Sequence, residues 1–150
     1  MAALIRVING PNLNLLGQRP GQHYGQLSLS ELESQLQSQA LTLGIQLLCQ
    51  QSNHEGQLLD WLHESLRDGT AGLILNAGAY THTSIALADA LEVIAYPVIE
   101  VHLSNIHARE SFRHHSRLTP HVWGQISGFG PLSYSLALQA LAQKLQLIPG

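Results

Sequence analysis

This chain of 150 residues has little charge of either sign: Asp, Glu, Lys and Arg make up 11% of it, against 45% hydrophobic residues. The formal net charge is −3, and the seven lysines and arginines form no run that would follow a phosphate backbone. We therefore expect no nucleic-acid partner. So small a charged share leaves uncharged surface to be buried between subunits, and it favours a homo-oligomer.

Cysteine, long apolar runs and lysine are equally scarce. Cys49 is the only cysteine, which excludes an internal disulfide. No stretch approaches the roughly 18 apolar residues of a membrane span, and none has the layout of a secretory signal. We therefore expect a cytoplasmic protein with no membrane partner. The only lysine, Lys144, lies in the last predicted helix, far from every strand end, and this position argues against Schiff-base catalysis.

Short apolar runs rich in β-branched residues alternate with segments of helical period. This alternation is typical of a parallel sheet wrapped by helices. Right-handed crossovers predict an α/β, flavodoxin-like three-layer sandwich whose five-stranded parallel sheet has the order 2-1-3-4-5. At this length we expect a single catalytic domain over residues 1–150. The predicted strands are residues 4–8, 45–49, 72–76, 98–102 and 122–127.

Helix signals lie between these strands. Ser-x-x-Glu capping boxes at 28–31 and 52–55 predict two helix starts, and Gly44 and Gly69 predict where those helices stop. The period of the apolar residues predicts two further helices, at about 83–95 and about 132–147.

Asparagine, glycine and proline crowd the segment after the first predicted strand. Residues 9–17 read Asn-Gly-Pro-Asn-Leu-Asn-Leu-Leu-Gly, which places Asn12 and Asn14 where α/β proteins build their sites. The alternative is a turn whose composition serves backbone geometry alone. Residues 10–27 lack periodicity and are long for a connection, so we expect a lid at about 17–26. The polar side chains of this lid are Arg19, His23 and Tyr24.

Polar side chains also end the third and fourth predicted strands. Asn76 closes the third strand, and His82 follows at the start of the next helix. In the fourth strand, alternation puts Glu100 and His102 on one face, close enough for the carboxylate to orient the imidazole. The alternative for His102 is a hydrogen-bonded core histidine, which the Ser-Asn pair at 104–105 makes less attractive.

Three arginines follow at intervals of four residues: Arg109, Arg113 and Arg117. A helix here would align their guanidinium groups on one face, where one of them would suit a carboxylate ligand. The alternative is a solvated basic face, which we prefer for Arg117.

Familiar metal and nucleotide motifs are incomplete. His54-Glu55 lacks the second histidine four residues on, where Leu58 stands, so the helical zinc-protease pattern fails. Gly128-Phe129-Gly130 follows the last strand, with no later strand to carry the acid that a dinucleotide ribose requires. We therefore expect neither a metal nor a cofactor.

Four segments in order resemble the type II 3-dehydroquinate dehydratases, or type II dehydroquinases, over nearly the whole chain. They are Gly-Pro-Asn-Leu-Asn-Leu-Leu-Gly at 10–17, Ser-Asn-His-Glu-Gly at 52–56, Asn-Ala-Gly-Ala-Tyr-Thr-His-Thr-Ser at 76–84, and Glu-Val-His-Leu-Ser-Asn-Ile-His-Ala-Arg-Glu at 100–110. The resemblance implies conversion of 3-dehydroquinate to 3-dehydroshikimate by anti elimination of water through an enolate, with neither metal nor Schiff base. It also implies a homododecamer built from trimers. The step would serve either the shikimate pathway or quinate catabolism, and the sequence leaves both open.

The resemblance also implies roles for individual residues. Tyr24 would be the base, with Arg19 favouring its anion. His102 would protonate the departing hydroxyl, with Glu100 fixing its ring, and Asn12 would hold a water molecule or the enolate oxygen. Residues that match substrate-binding positions are Asn76, His82, Asp89, the backbone of Leu103, Ser104 and Arg113. For Asp89 the alternative is a helix acid that faces solvent.

One departure from the family pattern lies in the expected lid. Pro20 follows Arg19 directly, where the family usually has an acidic residue first, although the spacing from Arg19 to Tyr24 is kept. The stiffness of the lid is therefore open. Two other functions also stay open: a flavodoxin-like module that binds a flavin or nucleotide, although Pro and Asn replace the phosphate cradle it needs, and an oligomeric relative without catalysis.

Overall fold

The computed structural model describes residues 2–18 and 27–150, and its core is a five-stranded parallel sheet. The strand order β2-β1-β3-β4-β5 confirms the predicted flavodoxin-like topology. The strands are β1 (Ala3–Asn9), β2 (Ile45–Gln51), β3 (Thr70–Asn76), β4 (Val98–His102) and β5 (Gly124–Ser127). The helices are α1 (Leu29–Leu43), α2 (Glu55–Ser65), α3 (Ile85–Glu92) and α4 (Leu132–Lys144). Arg19 to Gln26, most of the expected lid, lie outside the described residues.

Alternation along β1 divides the core into two apolar layers. Ile5 and Val7 pack with α1 and α4 on one face of the sheet, whereas Ile8 packs with α2 and α3 on the other. All three side chains are fully buried. Because both faces of a parallel sheet are covered by helices, its strands read as nearly continuous apolar runs rather than as alternating ones. Among the described residues, no helix is long and apolar enough to cross a membrane.

One polar residue interrupts the apolar run of β1. Arg6 is buried on the α2 side, where its guanidinium donates to Gln50 Oε1 at 2.8 Å and to Thr70 Oγ1 at 3.2 Å. It also pairs with Asp68, which lies in the turn before β3. A buried guanidinium is tolerated only when its donors are satisfied, and these partners tie β1, β2 and β3 together.

The first predicted capping box is confirmed and the second is wrong. Ser28 Oγ accepts from the Glu31 N–H at 3.1 Å, and α1 ends at Gly44, whose φ of 70° is left-handed. Ser52 Oγ instead accepts from the His54 N–H, two residues on, so it closes a tight turn before α2 begins. The Ser52 N–H still donates to the carbonyl oxygen of Asn9 at 3.0 Å, so the pairing with β1 reaches this serine and α2 begins only at Glu55.

The helix that would have aligned the three arginines does not form. Residues 105–121 form three separate 3₁₀ turns, because Arg109 and Glu110 have extended backbone between the first two. The turns are Ile106–Ala108, Ser111–Arg113 and Thr119–His121. The last two helices, α3 and α4, are shorter than predicted. Helix α3 is capped by Ser84 and runs from Ile85 to Glu92, and α4 ends at Lys144.

Candidate active site

A cleft opens at the carboxyl edge of the sheet, where β1, β3 and β4 end. Residues from the three following loops line it together, as expected for a doubly wound sheet. The residues predicted for the site that line the cleft are Asn12, Asn76, His82, His102, Leu103, Ser104 and Arg113. Glu100 lies directly behind them, in contact with His102. Tyr24 and Arg19 lie outside the described residues.

His102, which lines the cleft, forms a close ionisable pair with Glu100 directly behind it. His102 Nε2 lies 2.5 Å from Glu100 Oε2, and Glu100 is fully buried. Burial opposes ionisation of this carboxyl, but hydrogen bonds from His102, Thr119 and Ser116 outweigh it, so the pKa of Glu100 lies below its usual value. An ionised carboxylate can only accept, so Nε2 carries the proton and Nδ1 is the nitrogen left for chemistry.

His82 is a second imidazole in the cleft, and its environment keeps it neutral. Its ring stacks at 6.3 Å from the ring of His102, and its Nδ1 lies 2.8 Å from the carbonyl oxygen of His115. Burial lowers the pKa of His82, an effect that the nearby His102 and Arg113 reinforce. Because a carbonyl only accepts, Nδ1 holds the hydrogen, and Nε2 of the neutral ring is an acceptor.

The loop after β1 holds Asn12 in a backbone conformation that few residues adopt. Its φ is 69°, in the left-handed region where asparagine is tolerated, and its N–H donates to Asn53 Oδ1 at 3.0 Å. The loop packs tightly on the loop after β3, since a Cβ on Gly10 would lie 2.5 Å from the carbonyl oxygen of Ala77. The motif at residues 9–17 therefore serves the site and the backbone together.

A buried hydrogen-bond chain, which the sequence analysis missed, holds Asn76. Its Nδ2 donates to the hydroxyl of Tyr134 at 2.8 Å, and that hydroxyl donates to Asn9 Oδ1 at 2.5 Å. Asn76 Oδ1 accepts from the Gly78 N–H at 3.1 Å. Burial raises the pKa of Tyr134, which keeps this hydroxyl protonated and able to bridge both asparagines. No local pattern signals the chain, because Tyr134 comes from α4.

Two arginines reach the cleft. Arg113 was predicted, and its Nε donates to Glu110 Oε2 at 2.8 Å. Arg109 also lines the cleft, and its Nη1 lies 3.4 Å from Ser104 Oγ. Arg117 does not line it, and its Nε donates instead to the carbonyl oxygen of His82. The cleft therefore presents two guanidinium groups to a small anionic ligand.

Asp89 is the described site residue that the structure does not bring to this cleft. It is exposed on α3 and lines a separate depression together with Ile85, His115, Arg117 and His121. Its expected role as a substrate ligand therefore has no support within a single copy of the chain.

Two other kinds of chemistry, a reactive thiol and a metal site, can be examined among the described residues. Burial, with a contribution from Glu33, raises the pKa of Cys49 to about 12, so this thiol is not a nucleophile at neutral pH. Within residues 2–18 and 27–150, no group of three or more His, Cys, Asp or Glu side chains is placed to hold a metal ion.

The fold and the cleft together define a class of protein. A flavodoxin-like sheet carries an oriented histidine–carboxylate pair at its carboxyl edge, beside a neutral histidine and two guanidinium groups. This arrangement is suited to proton transfer on a small, polar, anionic substrate.

Comparisons with known proteins narrow the class to one family. The family model for class II dehydroquinase matches residues 3–142. The 3-dehydroquinate dehydratase of Chelativorans sp. strain BNC1 is 54% identical to this chain, over 97% of the chain and 100% of its own length. That of Rhodopseudomonas palustris strain TIE-1 is 50% identical, over 97% and 96%.

Solved structures agree. The type II dehydroquinase of Butyrivibrio crossotus DSM 2876 superposes with a TM-score of 0.91 at 42% identity, covering 93% of this chain and 97% of its own. That of Propionibacterium acnes gives 0.90 at 43% identity, covering 95% and 98%. The chain belongs to the type II dehydroquinase family.

Proposed function

We propose that this chain is a 3-dehydroquinate dehydratase, a hydro-lyase that removes water from 3-dehydroquinate to give 3-dehydroshikimate by anti elimination through an enolate. The step belongs to the shikimate pathway, which leads to chorismate and the aromatic amino acids. Membership of the family supports the reaction. The single observation that carries the proposal is the His102–Glu100 pair at 2.5 Å, with His102 lining a cleft that two arginines also line.

His102 is the general acid of this proposal. Elimination leaves a hydroxide-like group that must take up a proton as its bond to carbon breaks. Glu100 accepts from Nε2, so the imidazolium presents the Nδ1 proton to the departing hydroxyl. The buried carboxylate fixes the ring and holds the hydrogen on Nε2, because a carboxylate only accepts.

Tyr24 is the general base, and Arg19 stabilises its anion. Both residues lie outside the described part of the chain, so the family resemblance alone supports these roles. To ionise near neutral pH, the pKa of a tyrosine must fall from about 10 by some three units, which corresponds to roughly 4 kcal/mol of preferential stabilisation of the phenolate. A guanidinium in contact within a closed site has the charge to provide it.

The remaining cleft residues bind the substrate and the intermediate. Asn12 orients a water molecule or the enolate oxygen, a task that suits an amide lining the cleft, since an amide can both donate and accept a hydrogen bond. His82 accepts from a substrate hydroxyl through Nε2, whereas Arg113 donates to the polar ligand. The others, Asn76, the Leu103 backbone and Ser104, complete the same wall of the cleft.

Asp89 completes the proposal only in an assembly. We infer a homododecamer, a tetramer of trimers, in which Asp89 serves the cleft of a neighbouring copy. Exposed apolar side chains near Asp89 support a subunit contact, since Ile85 on the same helix is 61% exposed. A cytoplasmic location is part of the same proposal.

The direct test adds 3-dehydroquinate to the purified protein and follows the ultraviolet absorbance of the conjugated enone product. One sample is treated with a chelator and a second with borohydride in the presence of substrate, which would trap an imine. We expect the same rate in both as in untreated protein. A flat trace from folded protein would overturn the proposal, and bound yellow cofactor in that protein would point to the flavin-binding module instead.

A further inference from the structure

A single short segment contacts His82 directly and reaches His102 through Glu100. Residues 115–119, which we name the histidine strap, follow the second 3₁₀ turn and end at Thr119, the first residue of the third. At one end, the carbonyl oxygen of His115 accepts from His82 Nδ1 at 2.8 Å. At the other end, Thr119 Oγ1 donates to Glu100 Oε1 at 2.7 Å, while the second oxygen of that carboxylate binds His102.

The histidine strap is fixed along its length. Ser116 Oγ accepts from the N–H groups of Leu118 and Thr119, both at 3.1 Å. The Arg117 N–H donates to the carbonyl oxygen of Thr81 at 2.9 Å, and the Leu118 side chain is fully buried. The hydroxyl of Thr119 is therefore held in place, although the residue as a whole is exposed.

We propose that Thr119 is a positioning residue that keeps Glu100 ionised and thereby makes His102 an effective acid. This inference rests on the proposed dehydratase function. Glu100 is fully buried, so its charge depends on the hydrogen bonds that it accepts from His102, Thr119 and Ser116. Thr119 donates to Oε1, the oxygen that His102 does not use.

The acidity of His102 depends on whether the proton between Nε2 and Oε2 lies on the imidazole or on the carboxylate. While Glu100 is a carboxylate, that proton stays on His102, and the resulting imidazolium gives up its Nδ1 proton readily. Without the bond from Thr119, the buried carboxylate is less stable and takes the proton from Nε2. The ring is then a neutral imidazole, whose Nδ1–H is a far weaker acid.

The test compares Thr119→Val, which has the same shape without the hydroxyl, with Thr119→Ser, which restores the hydroxyl. Thr42→Val is the matched control, because Thr42 is exposed on α1 and its hydroxyl binds only the carbonyl oxygen of Ser38 among the described contacts. For Thr119→Val we expect kcat to fall about tenfold to a hundredfold with little change in KM, as for loss of one hydrogen bond to a charged group.

The pH profile separates positioning from a merely structural role. In a plot of kcat against pH, the alkaline limb is the fall in kcat as the His102–Glu100 pair loses its proton. A carboxylate that has lost a donor holds this proton more tightly, so we expect the alkaline limb to move to higher pH in Thr119→Val. The charged and titratable groups that line the cleft around this pair, His82, Arg109 and Arg113, are unchanged in the variant. NMR titration of the His102 ring gives the same shift without reference to turnover. Thr119→Ser is expected to restore both kcat and the limb.

Two outcomes would overturn the inference. One is an active Thr119→Val protein with wild-type kcat, alkaline limb and His102 titration. The other is a lower kcat with the limb and the titration unmoved, which would leave Thr119 a structural role only. If wild-type protein fails to dehydrate 3-dehydroquinate, the proposed function fails by itself, and the His102 titration still tests whether Thr119 governs the pair.

Discussion

His102 and Glu100 stand two positions apart on β4, so strand geometry alone brings their side chains to the same face. The carboxylate has no solvent to stabilise it, and the imidazole in front of it is its principal counter-charge. At the scale of single residues, the site depends on keeping a charge inside the protein and presenting one proton to the cleft.

Glu100→Gln tests this dependence. The amide keeps the shape of the side chain but carries no charge, so the imidazolium of His102 loses its stabilising partner. We expect kcat to fall by about 100-fold, the order of one general-acid contribution, with KM changed less. Steady-state kinetics measure the split, and circular dichroism checks that the variant is folded. Wild-type kcat in a folded variant would show that the charge is not needed.

The sequence could reveal the site residues that local patterns place, but not the distant residues that hold them in position. Asn12, His82, Glu100 and His102 stand at strand ends or alternate along a strand, and both patterns are local. The partners that hold them come from distant elements: Tyr134 lies on α4 and Thr119 in a 3₁₀ turn. No periodicity relates such residues to the cleft, so only the folded chain identifies them.

At the scale of elements, two serines that precede helices make different hydrogen bonds. Ser84 caps α3, accepting from the Leu87 N–H at 3.0 Å, and it is buried. Ser52 precedes α2 but closes a turn, because its own N–H still pairs with the carbonyl oxygen of Asn9 on β1 and α2 begins only at Glu55. Strand pairing thus decided which donor the hydroxyl meets.

These serines give a matched pair of stability predictions. Ser84→Ala should lower the free energy of unfolding by about 1 kcal/mol, the usual loss for a helix N-cap. Ser52→Ala should change it by less than about 0.5 kcal/mol, as for an ordinary exposed turn. Urea denaturation of both variants measures the difference. Equal losses in the two variants would contradict the conclusion that Ser84 caps a helix and Ser52 does not.

The ion pair of Arg6 and Asp68 makes the attachment of β1 to the turn before β3 sensitive to acid. Burial opposes ionisation of Asp68, but hydrogen bonds from Thr70 and Arg6 prevail, and the pKa of Asp68 is lowered. A carboxyl whose pKa is lower in the folded chain stabilises the fold above its unfolded pKa, about 3.9, and that stabilisation is lost as pH falls through the folded value.

Asp68→Asn should therefore be less stable than wild type at pH 7, and this gap should close as pH falls below about 4. Urea midpoints of both proteins across this range measure the gap. Asp60→Asn, which removes an exposed carboxylate on α2, is the control. A gap that stays constant down to the most acidic pH at which both proteins fold would contradict the role given to the ion pair.

At the scale of the whole molecule, the sheet topology followed from the sequence, whereas the surface did not. Alternating strands and helices with right-handed crossovers leave few arrangements, and order 2-1-3-4-5 is the simplest of them. The place of Asp89 was not predictable, because the family pattern assigns a residue to a site without stating which copy of the chain supplies it. Its exposure on α3, away from the cleft, is the observation behind the proposal that a neighbouring copy uses it.

Complementation between two impaired variants tests this arrangement. His102→Ala and Asp89→Ala are co-refolded and assayed at low substrate concentration, alongside light scattering for the mass of the assembly. If Asp89 serves a neighbouring cleft, mixed assemblies contain some intact sites, and activity should exceed the sum of the activities of the separate variants.

His102→Ala mixed with Glu100→Gln is the control, because both changes affect the same cleft. A mixture no better than its components would contradict the contribution of Asp89 to a neighbour, and a mass far from twelve chains would contradict the dodecamer.

The most direct test of the account is the initial rate of enone formation from 3-dehydroquinate by wild type, His102→Ala and Tyr24→Phe, each checked for folding. The account predicts a rapid rise for the wild type and a rate lower by orders of magnitude in both variants, because one lacks the general acid and the other the general base. Near-normal turnover in folded His102→Ala or Tyr24→Phe would contradict the role given to that residue, and no turnover in the wild type would contradict the function itself.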